Sequence, residues 1–191
     1  KEEIGYRMEG DIAAAQKNWD GAVAAYNQGL KATSGSPLLA TKIYSALQAG
    51  GKRSDADKFS ADWLRERPKD AAFRLFLADQ AIATKDYPGA EKWYQGVLQL
   101  QPNNALAYNN LAWVAGQQKK DAAPGYDEKA VSLAPSQPAF LDTLAMLLSD
   151  KNEHAKAVET QKKVLALQPD NPLFKTNLAK IYIKGGQKDL A

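Results

Sequence analysis

With 191 residues and no cysteine, the chain offers no disulfide, no thiolate metal site and no cysteine nucleophile. Its 25 basic and 22 acidic residues leave a net charge of +3 and are spread along the chain, so the strongly basic face of a nucleic-acid binder is missing. The 45% of hydrophobic residues never run together for the roughly 20 positions a membrane helix needs.

Read from the N-terminus, the segment Lys1-Glu2-Glu3-Ile4-Gly5 has no apolar signal region and no initiator methionine. A periodic pattern then begins. Ala22, Ala56, Ala90, Ala123, Ala157 and Ala191 are separated by 34, 34, 33, 34 and 34 residues. Gly10, Ala78, Ala112, Ala145 and Ala179 form a second ladder, with Tyr44 at the rung where a small residue is due, and Pro68, Pro102, Pro135 and Pro169 form a third. A period near 34 in a helix-rich sequence predicts helix–turn–helix units that bury their apolar faces only by stacking. The expected fold is therefore all-α, a right-handed α-solenoid in a single array over 1–191. Units fall at 3–36, 37–70, 71–104, 105–137 and 138–171, followed by a lone first helix at 172–184.

The first unit carries Asn18-Trp19-Asp20-Gly21-Ala22. The second departs from the pattern at Tyr44 and at Ser60, where its neighbours place Tyr26 and Tyr94, so looser or shifted packing is expected there. The third is the type unit: a helix over 71–83, a turn at Thr84-Lys85-Asp86, a return helix over 87–100 and a stop at Pro102. Small residues such as Ala78 and Ala90 let the paired helices approach closely. Leu77, Leu111, Leu144 and Leu178 are the expected core of the first helices, and Leu30, Leu64, Leu98, Val131 and Leu165 that of the second. The fourth unit is one residue short, and Pro124-Gly125 predicts a second helix that starts late or frays. The last residues, Gly185 to Ala191, read as a turn and the first step of another helix, so the chain reads as part of a longer repeat protein.

These features, with Asp86-Tyr87-Pro88-Gly89-Ala90 and Ala107-Tyr108-Asn109-Asn110-Leu111-Ala112-Trp113, make the chain resemble tetratricopeptide repeat proteins along its whole length. A narrower likeness rests on Tyr108 to Trp113, Glu128 to Pro135 and Phe140 to Ala145. That succession is similar to the C-terminal repeats of tetratricopeptide lipoproteins of the PEP-CTERM/exosortase system. The resemblance implies exopolysaccharide production or export and a periplasmic or outer-membrane-anchored location in a Gram-negative bacterium.

No glycine-rich phosphate loop, nucleophile elbow or paired-histidine helix occurs, and no catalysis, cofactor or metal is expected. His154, the sole histidine, falls in the inter-helix slot that Trp19 and Tyr87 hold, which points to packing. Asp142 and Asp150 lie about 12 Å apart if helical, too far for a hydrolytic pair, and read as solvated or ligand-facing.

The resemblance implies a concave groove lined by the first helices. Projection places there Arg7, Asp11, Thr41, Ser45, Gln48, Leu75, Asp79, Ile82, Asn109, Asn110, Trp113, Asp142, Met146, Asp150, Thr176, Lys180 and Lys184. Leu75, Trp113 and Met146 would supply an apolar strip, and Asn109 and Asn110 can donate to and accept from a peptide backbone. Asp79, Asn109 and Asp142 in mid-groove disfavour capture of a chaperone tail carboxylate. The expected function is non-catalytic binding of a protein or peptide. The alternatives are a carbohydrate- or polymer-binding element of an export machine and a purely structural spacer. Leu178, Ile181 and Tyr182 are expected to be bare, giving self-association through 172–191.

Overall fold

The computed structural model describes residues 3–33 and 35–191, so Lys1 and Glu2 of the N-terminal reading and Ser34 of the first unit lie outside the described residues. The described residues form eleven α-helices and no strand: α1 Glu3–Ala15, α2 Trp19–Ala32, α3 Pro37–Ala49, α4 Arg53–Glu66, α5 Ala71–Ala83, α6 Tyr87–Leu100, α7 Ala105–Gln117, α8 Ala123–Leu133, α9 Pro138–Asp150, α10 His154–Leu167 and α11 Pro172–Lys184. A single 3-10 turn, Lys188–Leu190, follows. None of these helices is long and apolar enough to cross a membrane.

Local chemistry sets the helix ends. Asn18 and Asp86 accept the backbone N–H of Gly21 and Gly89, and Asn104 accepts that of Ala107, each satisfying one donor that the first helical turn leaves over. Pro37, Pro138 and Pro172 open α3, α9 and α11, where a missing N–H is harmless. The four laddered prolines each stand two residues beyond a second helix. The hairpin turns pass through left-handed backbone at Lys17, Gly51, Lys85, Lys119 and Asn152, with φ between 55° and 74°.

The chain divides into two compact units, residues 1–76 and 77–191. In the first, α1 packs on α2, α2 on α3 and α3 on α4. A Cβ added to Gly10 would stand 2.1 Å from the Tyr26 ring, so the small rung is sterically required. The second repeat is repacked, not loosened. Tyr44 is buried and sits edge-on to Phe73 and Phe76, with centroids 6.5 and 5.6 Å away. Phe59 and Trp63 complete this aromatic cluster. The large residue at the small rung and the small Ser60 at the tyrosine rung exchange volume, the kind of swap a core tolerates.

In the second unit the hairpins α7–α8 and α9–α10 pack in succession, and α11 closes on α10 and α9. Ala90, Ala112, Ala145 and Ala157 are wholly buried. Here α8 begins three residues later than its counterparts relative to the small rung, as Pro124-Gly125 leads one to expect. Two expectations are corrected. The second helices turn Trp63, Val97, Ala130 and Val164 into the core, while Leu30, Leu64, Leu98, Val131 and Leu165, one residue further on, are only half-buried. Ile181 and Tyr182 are not bare. Ile181 packs against Ala145, Leu148 and Ala157, Tyr182 is also buried, and the exposed apolar residues near this end are Leu173, Ile183 and Leu190.

Candidate functional site

The first unit gathers its predicted groove residues around one ion pair. Lys42 Nζ lies 2.8 Å from Asp11 Oδ1, and the Tyr26 hydroxyl donates to the same oxygen at 2.7 Å. Burial opposes the charge on Asp11, but Lys42, the Tyr26 hydroxyl and then Arg7 hold its carboxyl below the usual range. Burial first, and the Asp11 carboxylate second, push the Tyr26 hydroxyl up. Thr41 bonds back to the Leu38 carbonyl, Gln48 donates to the Tyr44 hydroxyl, Leu75 is half-buried and Ser45 is exposed. This patch is largely self-satisfied.

The second unit contains a cavity of about 290 Å³ on the first-helix side, lined by Asp79, Ile82, Asn109, Asn110 and Trp113 together with Tyr94 and Thr143. Five predicted residues therefore surround one space. Their polar atoms form a chain. Asn109 Nδ2 donates to Asn110 Oδ1 at 3.0 Å, Asn110 Nδ2 donates to the Tyr94 hydroxyl at 3.1 Å, and that hydroxyl donates to Asp79 Oδ1 at 2.9 Å. Burial and then Asp79 raise the Tyr94 pKa, so the hydroxyl keeps its proton and the direction of the chain is fixed. Asn109 Oδ1, at the far end, is buried and has no donor. Trp113 stands at the wall, 38% exposed, with its ring edge-on to Tyr87 at 5.9 Å.

Other predicted groove residues go elsewhere. Asp142 has partners within the fold: it accepts from Gln161 Nε2 at 2.6 Å and from Asn177 Nδ2 at 3.0 and 2.9 Å, so its carboxylate joins α9, α10 and α11. Asp150 and Lys184 pair at 2.5 Å beside a separate opening at the hairpin turns. Met146 packs half-buried against a core cluster, Thr176 bonds to the Pro172 carbonyl, and Lys180 reaches Asn177 Oδ1 at 3.5 Å. His154 lies against the C-cap of α11, its Cβ 3.1 Å from where a Cβ on Gly185 would stand, which is a packing role.

Sequence reasoning missed Asp127. It is fully buried, neither carboxylate oxygen has a hydrogen-bond partner, and burial pushes its pKa up to about 8. The repeat register contained the signal: Asp127 falls at the buried rung of Tyr26, Ser60, Tyr94 and Gln161.

Stacked helical hairpins with a recurring ladder of small residues define a helical-repeat protein. Tetratricopeptide repeat models match residues 45–105 and 139–171, so the chain carries tetratricopeptide repeats. Sperm-associated antigen 1 of Mus musculus is 29% identical over 142 residues, 74% of this chain and 14% of its own length. Cellulose synthase operon protein C of Pseudomonas fluorescens is 28% identical over 132 residues, 66% of this chain and 10% of its own. The chain thus spans a small fraction of these relatives. The crystal structure of MamA shares the fold with a TM-score of 0.66 at 22% identity, covering 87% of this chain and 92% of that one.

Proposed function

We propose that this chain is a non-catalytic interaction scaffold that binds a protein or peptide in the recess of its second unit, within one repeat array. The observation that carries the reading is the recess of about 290 Å³ walled by the partly exposed Trp113, with the ordered Tyr94–Asn110–Asn109 chain and the exposed Asp79 along it. An apolar side chain of an extended segment would cover the indole, and the exposed Asp79 at the other end of the polar chain would accept a backbone N–H. Because the polar chain is already ordered, little conformational entropy is lost on binding.

The likeness to cellulose synthase operon protein C supports a place in a Gram-negative envelope system handling exopolysaccharide, with a periplasmic or outer-membrane-anchored location. The PEP-CTERM-type lipoprotein assignment is a narrower form of the same proposal. That relative, together with an aromatic beside two amides, also favours a second reading in which the recess holds a sugar. Self-association through 172–191 would use the exposed Leu173 and Ile183.

The test is affinity selection from a displayed peptide library, followed by titration of the selected peptides and of cellohexaose. Trp113→Ala should weaken the recognised probe by about 2 kcal/mol, roughly thirtyfold, with helicity retained. Selected peptides that bind Trp113→Ala and Asn109→Leu as well as the parent would overturn the peptide reading. Cellohexaose binding that depends on Trp113 would establish the sugar reading in its place.

A further inference from the structure

A second site follows from what the fourth repeat lacks. Two positions after the left-handed residue of the hairpin turn the second repeat has Arg53, following Gly51, while three repeats carry a ring, Trp19, Tyr87 and His154, following Lys17, Lys85 and Asn152. Each ring plugs the space beside the next first helix. The Trp19 Cβ is 3.0 Å from the Cβ position of Gly50, His154 meets Gly185 at 3.1 Å, and Tyr87 meets the Trp113 ring.

In the fourth repeat the left-handed residue is Lys119, so the same count gives Asp121. The missing residue of this repeat falls here: two residues, Asp121 and Ala122, stand where Tyr87, Pro88 and Gly89 stand in the third. The Asp121 side chain is fully exposed and so does not plug the space as the rings do. An opening of about 570 Å³ results. Its lining includes the non-polar residues Gly116, Ala123, Pro124 and Leu147, of which Ala123 and Leu147 belong to a buried cluster. Lysines dominate its rim. Lys151 is engaged by Asp121 at 3.3 Å, Lys184 by Asp150 and Lys120 by Glu91, while Lys119 has no ion pair among the described residues.

We propose that this opening is a docking site for an aromatic side chain of a partner protein, carried on a segment with acidic residues flanking the aromatic. The occupant is argued from the molecule itself. The equivalent space is filled by an aromatic ring in three other repeats, and the uncompensated charge at the rim is positive. Exposed pairs such as Lys151 with Asp121 contribute little and exchange readily for an incoming carboxylate. The site is separate from the Trp113 recess and stands or falls independently of it.

The probe is the blocked peptide Gly-Glu-Tyr-Glu-Gly, titrated into the whole chain labelled with ¹⁵N and followed by amide shifts. Saturable shifts at Gly116, Lys119, Ala123 and Leu147 are expected. Replacing the peptide's tyrosine by alanine should weaken binding about tenfold or more, as for a buried anchor. Lys119→Glu, an exposed change that leaves the fold intact, should weaken it several-fold, with the difference fading at high salt. Asp121→Trp, which offers the plug from within, should compete with the peptide, while Trp113→Ala should leave binding unchanged. No saturable shift, equal affinity for the alanine peptide, or shifts confined to Asn109, Asn110 and Trp113 would overturn the proposal.

Discussion

Helices α6 and α8 occupy equivalent places in successive repeats and are finished differently. The first has 14 residues, an Asp86 cap on Gly89 and a tyrosine plug at its start, and its buried rung, Tyr94, is bonded to Asp79 and Asn110. The second has 11 residues and no side-chain cap, and its buried rung is the unpartnered Asp127. One missing residue at a turn thus shortens a helix, removes its cap and unstops a cavity, while the alanine rungs remain buried. In a solenoid the turn can vary as long as the helix-crossing points do not.

The buried rung gives the strongest test of this contrast. Asp127 has its folded pKa raised from 3.8 to about 8, so the folded state holds a proton that the unfolded state releases. Its contribution is most favourable below pH 3.8, declines as pH rises toward about 8 and is flat above, at about 1.4 kcal/mol for each unit of difference. Asp127→Asn should therefore stabilise the protein by several kcal/mol at pH 8 and have little effect at pH 4. Urea titrations at the two pH values check this, and identical pH dependence of mutant and parent would refute it.

What the two hairpins share is tested next. Ala90→Leu or Ala112→Leu should cost about 1–3 kcal/mol through overpacking at closed crossings, read as a fall in melting temperature. Unchanged melts would mean that these rungs do not set the helix spacing. Smaller still, Asp86→Ala should cost about 1 kcal/mol and make the start of α6 behave like that of α8. The finest comparison is hydrogen exchange: amides over 121–128 should exchange faster than those over 87–94, because an uncapped first turn opens at low free energy. Equal protection would erase the proposed difference.

The small rungs and terminating prolines were legible in the sequence because each is a steric requirement that recurs at a fixed interval. Asp79, Asn109, Asn110 and Trp113 fall together because the family resemblance puts the same face of each first helix in the groove and the 34-residue period carries that face from α5 to α7. The fate of Asp142 was not legible. Whether a carboxylate meets a ligand or a neighbour depended on Gln161 and Asn177, 19 and 35 residues away. The core register of the second helices was misjudged by one residue, since adjacent apolar positions such as Val97 and Leu98 satisfy the same pattern almost equally well. Asp150 and Lys184 were assigned to the groove although they lie in the last turn of their helices, where side chains reach the hairpin edge instead.

The three-way bond at Asp142 has a consequence for register. Apolar adhesion between α9, α10 and α11 is nearly indifferent to a small sliding of one helix along another, because any shift that keeps a hydrophobic stripe in contact keeps most of the burial. Gln161 and Asn177 are not indifferent. Displacing α11 by one position would take the Asn177 amide from the Asp142 carboxylate and the Phe174 carbonyl from Gln161, a loss larger than a single alternative apolar contact returns. The carboxylate acts as a pawl on an otherwise smooth ratchet, selecting one alignment of the last helix from several that greasy packing alone would accept.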